Sequence, residues 1–173
     1  MRMAIHQPNL VPWVPFFRKM FLADKFCIMR FCQFEKNGFT NRFKNKNKWM
    51  TLPVQKGMED IAHKVYTNGY TIEEVNLPLI FGFARMFGID TDKIVLDRET
   101  FEKGTDRLID ICKTYGCDEY LANVDTPYLD IKKMEENGIK VIPFVTTNDY
   151  KVSLFEALEK WGIEGTRKMI CRT

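Results

Sequence analysis

His6, Gln7 and Asn9 follow a short apolar run and stand close to Pro12 and Trp13; they are the first side chains whose types could do chemistry. A loop punctuated by Pro8, Pro12 and Pro15 loses little entropy on ordering and can hold such groups rigidly. His6 could serve as a general base or, once protonated, as a cation facing phosphate oxygens. It could also be a core histidine bonded to backbone, and residue type alone leans that way. Gln33, Lys36, Asn41 and Arg42 form a second group, in which Arg42 is the candidate for a bidentate phosphate contact. Lys44, Lys46 and Lys48 then alternate with Asn45 and Asn47 before Trp49. Such a segment can track a nucleic-acid backbone and offer Trp49 for stacking. A solvated basic loop is the plainer reading; flanking Phe39 and Phe43 tilt the balance toward binding. Further on, Asn123, Asp125, Tyr128 and Asp130 could orient a substrate or hold a divalent ion with its waters. For Asp125 and Thr126 a helix cap with Pro127 at the first helical position is the preferred reading, while Asn123 and Tyr128 stay open.

These groups need elements to position them. Arg2 to His6 reads as a buried strand, Gln7 to Pro15 as an irregular loop at its carboxyl end, and Phe16 to about Ala23 as a helix. Lys25 to Phe31 and Trp49 to Val54 read as strands, with a turn at Asn37-Gly38 and a basic loop over Asn41 to Lys48 between them. Thr71 and Glu74 have capping-box spacing, but Pro78 predicts a break, with a second helix restarting there and running to Gly88. The second half predicts strands at Lys93 to Leu96, Glu119 to Ala122 and Ile139 to Val145. Helices are expected over Thr105 to Tyr115, over Tyr128 to Asn137, and from the Ser153/Glu156 capping box to Gly162. Strands alternating with helices imply one α/β domain over residues 1–173: a mainly parallel central sheet with helices on both faces, Rossmann-like. Ligands of such sheets bind outside the carboxyl ends of the strands, where the candidates above are expected.

Composition narrows the classes. With 173 residues, 45% hydrophobic and 28% charged, the chain fits one globular domain, and a net charge of +3 names no partner by itself. Five cysteines, an odd number without a CxxC pair, suit a reducing compartment, with Cys27 and Cys112 as small buried hydrophobes. His6 and His63 lack ligand-like neighbours, so no metal site is expected from imidazole. No signal-peptide pattern and no apolar run near the roughly 20 residues of a membrane span is present, so a cytoplasmic location is expected. The absence of GxxxxGK[ST], GxGxxG and GxSxG argues against P-loop enzymes, ordinary dinucleotide oxidoreductases and serine hydrolases.

The run His6-Gln7-Pro8-Asn9-Leu10-Val11-Pro12-Trp13, with Phe16-Phe17-Arg18-Lys19 and Ala23-Asp24, resembles the signature of the WbqC-like family. The resemblance continues through Gln33-Phe34, Phe39-Thr40-Asn41-Arg42 and Trp49 to Val54, and more weakly through Asp106 to Cys112, Tyr120-Leu121 and Tyr128 to Asp130. The pattern is departed from at Pro15, where glycine is usual, at Arg30, where an acidic residue is common, and in a shortened final segment. Bacterial members of the family occur with surface-polysaccharide genes, and phage relatives are similar to amino acid:DNA transferases of thymine hypermodification. The resemblance therefore implies a transferase in a bacterial or phage-infected cell, joining an amino acid such as glycine to a pyrophosphorylated hydroxymethyl-uracil in DNA. In that reading Arg42, Lys36 and Lys19 neutralise the departing pyrophosphate, with Mg²⁺ as cofactor. His6 takes the amine's proton or contacts the diphosphate, while Gln7, Asn9 and Gln33 orient base or amino acid. Trp13 or Trp49 covers the gap left by a flipped base. Two rivals follow from the same residues: a transferase on a nucleotide-linked sugar, and a non-catalytic nucleic-acid-binding module using Lys44 to Trp49.

Overall fold

Short apolar strands separated by amphipathic helices can share a sheet only by crossing over it, and the chain does so repeatedly. A computed structural model describes residues 1–46, 48–57, 60–123, 126–145 and 152–172; Asn47 and Asp125 lie outside the described residues. In chain order come β1 (Arg2–His6), α1 (Val14–Leu22), β2 (Lys25–Ile28), β3 (Arg42–Asn45), β4 (Lys48–Thr51), a single 3-10 turn at Ile61–His63, and α2 (Ile72–Met86). They are followed by β5 (Ile94–Leu96), α3 (Gly104–Thr114), β6 (Glu119–Ala122), α4 (Ile131–Glu136), β7 (Lys140–Pro143) and α5 (Leu154–Ile170). Five strands make one parallel sheet in the order β5-β2-β1-β6-β7, the Rossmann-like α/β arrangement. Strand side chains alternate between two faces. Ala4, Phe26 and Ile28 point to a core with Phe16, Phe17 and Met20 of α1, Ile80 of α2 and Leu154 of α5; Met3, Ile5 and Cys27 point to the opposite core with Leu108 and Cys112 of α3 and Met134 of α4. Helices thus cover both faces.

The chain leaves β1 toward β2 and leaves β6 toward β7, in opposite directions along the sheet, so β1 and β6 flank the topological switch point. Pairing there is brief: Arg2 meets Glu119 and Met3 meets Tyr120, whereas β1 pairs with β2 from Met3 through His6.

Several expected boundaries differ from those observed. Helix α1 begins at Val14 and takes Pro15 into its first turn, where a missing N–H has no partner to lose, so the loop is shorter than expected. The basic run expected as a loop is itself β3, pairing antiparallel with β4 in a separate two-stranded sheet; Trp49 belongs to this hairpin and adds no strand to the central sheet. The chain reverses after Asn45, with Lys46 in the left-handed region at φ 52°. Pro78 does not split α2. It is exposed, and Ile72, Asn76, Ile80 and Ala84, four residues apart, form a buried stripe that holds one helix across it. Helix α4 starts later than expected because Asp130, whose side chain accepts from the Lys133 N–H, is its cap. Helix α5 runs on past Gly162, which bends it by adopting φ 64°, ψ −175°. Both expected capping boxes, Thr71/Glu74 and Ser153/Glu156, are present.

Candidate functional site

The loop after β1 is clamped from below. Asn76, fully buried on α2, donates 2.7 Å hydrogen bonds from its side-chain amide to the carbonyls of Pro8 and Thr40, and accepts one of 2.9 Å from the Tyr66 hydroxyl. The Leu10 N–H donates to the Phe39 carbonyl at 2.9 Å, tying the loop to the approach to the hairpin. So held, the loop keeps Val11 at φ 46°, a conformation that costs a β-branched residue free energy and persists only where the surroundings enforce it.

Two clefts open on either side of this loop. The first, about 400 Å³, runs from Asn9 and Trp13 across Phe39 and the hairpin residues Phe43, Lys44, Lys46 and Trp49 to the start of α5. Its wall is an aromatic series. The Trp13 and Phe39 rings lie nearly parallel, 10° apart, with centroids separated by 6.2 Å; Phe39 meets Trp49 at 5.8 Å, and the Arg42 guanidinium lies 4.1 Å above the Trp49 ring. Phe39 is 49% and Trp49 45% exposed, too much aromatic surface for a hairpin concerned only with its own packing. Lys46 bonds Glu159 at 3.0 Å in an exposed pair, the kind of contact that contributes little and gives way to another anion.

The second cleft, about 930 Å³, lies over the carboxyl ends of β1, β2 and β5 and is lined by Gln7, Gln33, Glu35, Asp60, residues 99–104, Arg107 and Tyr128. Its floor is a buried charge network that joins four distant segments. Asp97, with its side chain wholly buried, accepts from the Arg30 N–H at 2.7 Å and from the Arg107 guanidinium; Arg30 also pairs with Glu73 at 3.1 Å. Among the described residues the Nε of Arg107 has no hydrogen-bond partner, and the Nε of Arg30 faces the Asp97 carboxylate at 3.8 Å. The Thr105 hydroxyl donates to the Tyr128 carbonyl at 2.7 Å and accepts from the Asp130 N–H at 2.9 Å, setting Tyr128 on the rim. Burial, then the nearby Glu35 carboxylate, raises the Tyr128 phenol above its ordinary value, so it stays protonated at neutral pH. Cys32 donates to the Met29 carbonyl, and burial pushes its thiol up to about 12, which leaves no thiolate for nucleophilic work.

Beneath the loop lies a histidine–lysine pair. His6 Nδ1 is 3.1 Å from the Gln7 carbonyl, which can only accept, so that nitrogen carries the proton. Its ring meets Phe16 edge-on at 4.8 Å. Burial first, and the charge of Lys19 second, push the imidazole down to about 4, so at neutral pH it is uncharged and is no cation for phosphate. Lys19, only 4% exposed, holds its Nζ 5.9 Å from the Tyr120 ring and 5.8 Å from the Phe144 ring, where the β1–β6 ladder stops. Burial lowers its ammonium to about 8.

The residues expected to act together are therefore distributed. Asn9, Trp13, Lys44, Lys46 and Trp49 share the aromatic cleft; Gln7, Gln33 and Tyr128 share the other. His6 and Arg42 are not brought together: one is under the loop, while the other stacks on the hairpin and donates to the Asn37 carbonyl. Asn41 braces the hairpin by donating to the Leu52 carbonyl at 2.9 Å. Lys36, Lys48 and Asn123 are exposed and line neither cleft. Arg107, Asp97 and Glu73 were not expected from sequence. Their one local signal is a charge inside an apolar stretch, as Arg107 stands beside Leu108 and Ile109.

A parallel sheet in Rossmann-like order with its clefts at the carboxyl ends of the strands defines a ligand-binding α/β domain. The model of the WbqC-like protein family matches residues 7–65 and 57–156, and the chain belongs to that family. No curated protein and no solved structure matches it. Membership accords with a transferase role in general. Among the described residues no helix is long and apolar enough to cross a membrane.

Proposed function

We propose that the protein joins an amino acid to a pyrophosphorylated hydroxymethyl-uracil base in DNA. The amine nitrogen forms a bond to the exocyclic methylene carbon, the bond from that carbon to the diphosphate oxygen breaks, and pyrophosphate leaves with the bonding pair. The amine's proton passes to the carboxylate-lined cleft or to water. The observation behind this reading is the pair of unlike clefts sharing one rigid wall, residues 7–9. The aromatic cleft offers ring faces for a base and Lys44 for its phosphates, as single-stranded nucleic-acid sites do. The second cleft offers carboxylates to an amine, and Gln7 stands on the shared wall where the two reactants would meet. Holding both reactants in place is itself a large part of catalysing a displacement of this kind.

Mg²⁺ would supply charge neutralisation on the diphosphate. Glu35, Asp60, Glu99 and Glu102 line the second cleft, yet among the described residues no three His, Cys, Asp or Glu side chains converge. The residues therefore fit an ion that arrives with the diphosphate and takes one or two carboxylates, as Mg²⁺ commonly does.

The test is to incubate the protein with glycine and DNA carrying the pyrophosphorylated base, digest the DNA and weigh the nucleosides. The expected product has lost diphosphate and gained glycine. No mass change with any amino acid, with or without Mg²⁺, overturns the DNA reading. A second reading, transfer from a nucleotide-linked sugar, draws on the hairpin itself. Lys44 and Lys46 line the aromatic cleft while Lys48 lies off it, leaving few cations to follow a long phosphate backbone. That reading expects the base of a sugar nucleotide in the aromatic cleft and no salt-dependent affinity for DNA.

A further inference from the structure

We infer that the Asn9 side-chain amide reads the pairing edge of a uracil-type base held against the rings of the aromatic cleft, and so requires that base to be unpaired. The choice of uracil rests on the proposed function; the edge-reading role of the amide rests on the cleft itself.

Three asparagines are buried among the described residues: Asn9, Asn41 and Asn76. Asn41 donates to the Leu52 carbonyl, and Asn76 donates to two carbonyls and accepts from the Tyr66 hydroxyl. Asn9 is 5% exposed and lines the aromatic cleft, yet its side-chain amide makes no hydrogen bond among the described residues. Neither its oxygen nor its nitrogen is sealed from solvent, so both open on the cleft. A buried amide without a protein partner costs free energy unless water or a ligand meets it.

The amide is also held still. Asn76 fixes the Pro8 carbonyl, the Asn9 N–H donates to the Gln7 carbonyl at 2.9 Å, and the Leu10 N–H donates to the Phe39 carbonyl. That last bond sets Asn9 one residue away from the anchor of Phe39, whose ring is the middle member of the series between Trp13 and Trp49. A base stacked on a ring face keeps its edge free to bond to the cleft wall, and Asn9 stands on that wall.

Chemistry then selects the edge. A carboxamide places an acceptor beside two donors. A uracil-type base carries its N3–H between two carbonyl oxygens, so the Asn9 oxygen takes that N–H while the Asn9 NH₂ donates to either carbonyl. In a duplex the same N3–H is committed to adenine, so a base read in this way is single-stranded or flipped out of the stack. Lys44, on the same cleft, is then available to the nucleotide's phosphate.

The test follows tryptophan emission in titrations with two probes: deoxythymidine 5′-monophosphate and its N3-methyl derivative, which keeps the ring face but cannot donate from N3. The parent protein is expected to bind the first about tenfold more tightly, the scale of one buried partner left unmade. Asn9→Ala is expected to weaken the first about tenfold and leave the second unchanged, so that the two bind alike. Equal binding of both probes by the parent protein, a preference that survives in Asn9→Ala, a parallel loss of both probes in that variant, or no emission change with either probe each overturns the inference. The comparison in the parent protein needs no variant, and it decides the matter if Asn9→Ala does not fold. A preference that disappears in Asn9→Ala, with no transfer in the DNA assay, leaves the edge-reading role standing and removes the transferase reading. Transfer in the DNA assay with equal binding of the two probes removes the edge-reading role alone.

Discussion

The aromatic cleft and the acidic cleft are built in opposite ways, although they share residues 7–9. The aromatic cleft leans on a two-stranded hairpin outside the main sheet, held by ring contacts such as Phe43 against Phe155 at 5.4 Å. The acidic cleft rests on the carboxyl ends of three parallel strands, under which Asp97 fixes two arginines. A small hairpin is only marginally stable by itself and can shift its ring faces on a ligand. A floor of buried ion pairs cannot move without leaving a charge unpaired. The contrast teaches a division of labour: an adaptable surface for a large substrate, and a preorganised floor for a small one.

The change expected to break both clefts at once is Asn76→Ala. It strands two buried carbonyls and one tyrosine hydroxyl under the shared loop, and should cost about 3 kcal/mol in chemical denaturation. Ligand binding on both sides should fall with it.

Next in size is Lys19→Met. Removing a buried ammonium that makes no ion pair among the described residues should raise stability at pH 7 by about 1–3 kcal/mol. It should also lift the His6 imidazole partway from about 4, because the charge of Lys19 is the second cause of its depression and burial, the first, remains. Imidazole NMR titration of the two proteins checks this. In the parent protein the folded His6 value lies below the unfolded one, so its contribution to stability is complete above about pH 6.5 and is lost as pH falls toward 4.

Trp49→Ala should sharpen the contrast rather than erase it. Losing one stacking face should weaken an oligonucleotide about tenfold, read by fluorescence anisotropy, while glycine binding stays as it was. Smallest of all, Lys44→Ala should reduce the slope of log affinity against log salt by about 1, with a loss of affinity uniform across sequences.

Much of the sheet was legible in the sequence because β1, β2 and β6 are short apolar runs bounded by clear punctuation, and because Thr71/Glu74 and Ser153/Glu156 carry their caps locally. The hairpin was not, since its lysines and asparagines look like a solvated loop until Phe43 and Asn45 are seen turned inward and Lys44 outward. The loop residues Gln7 and Asn9 could be placed near a strand end, but not assigned to opposite clefts, because that depends on the clamp from Asn76, which is 68 residues from Pro8. The network of Arg30, Glu73, Asp97 and Arg107 draws on four segments, so no local spacing announces it. Pro78 misled for a physical reason: an exposed proline forgoes one hydrogen bond, and the buried stripe on the other face outweighs the loss.

The most direct measurement is whether the two clefts fill together. Protein saturated with glycine should be titrated with a short single-stranded oligonucleotide, following the backbone amides that line the acidic cleft, Gly104 and Tyr128 among them, and tryptophan emission in the same sample. Emission should change as the oligonucleotide binds while the glycine-shifted amides stay shifted, giving a ternary complex. Return of those amides to their free positions as the oligonucleotide binds would mean one shared pocket, and would contradict the division between the clefts.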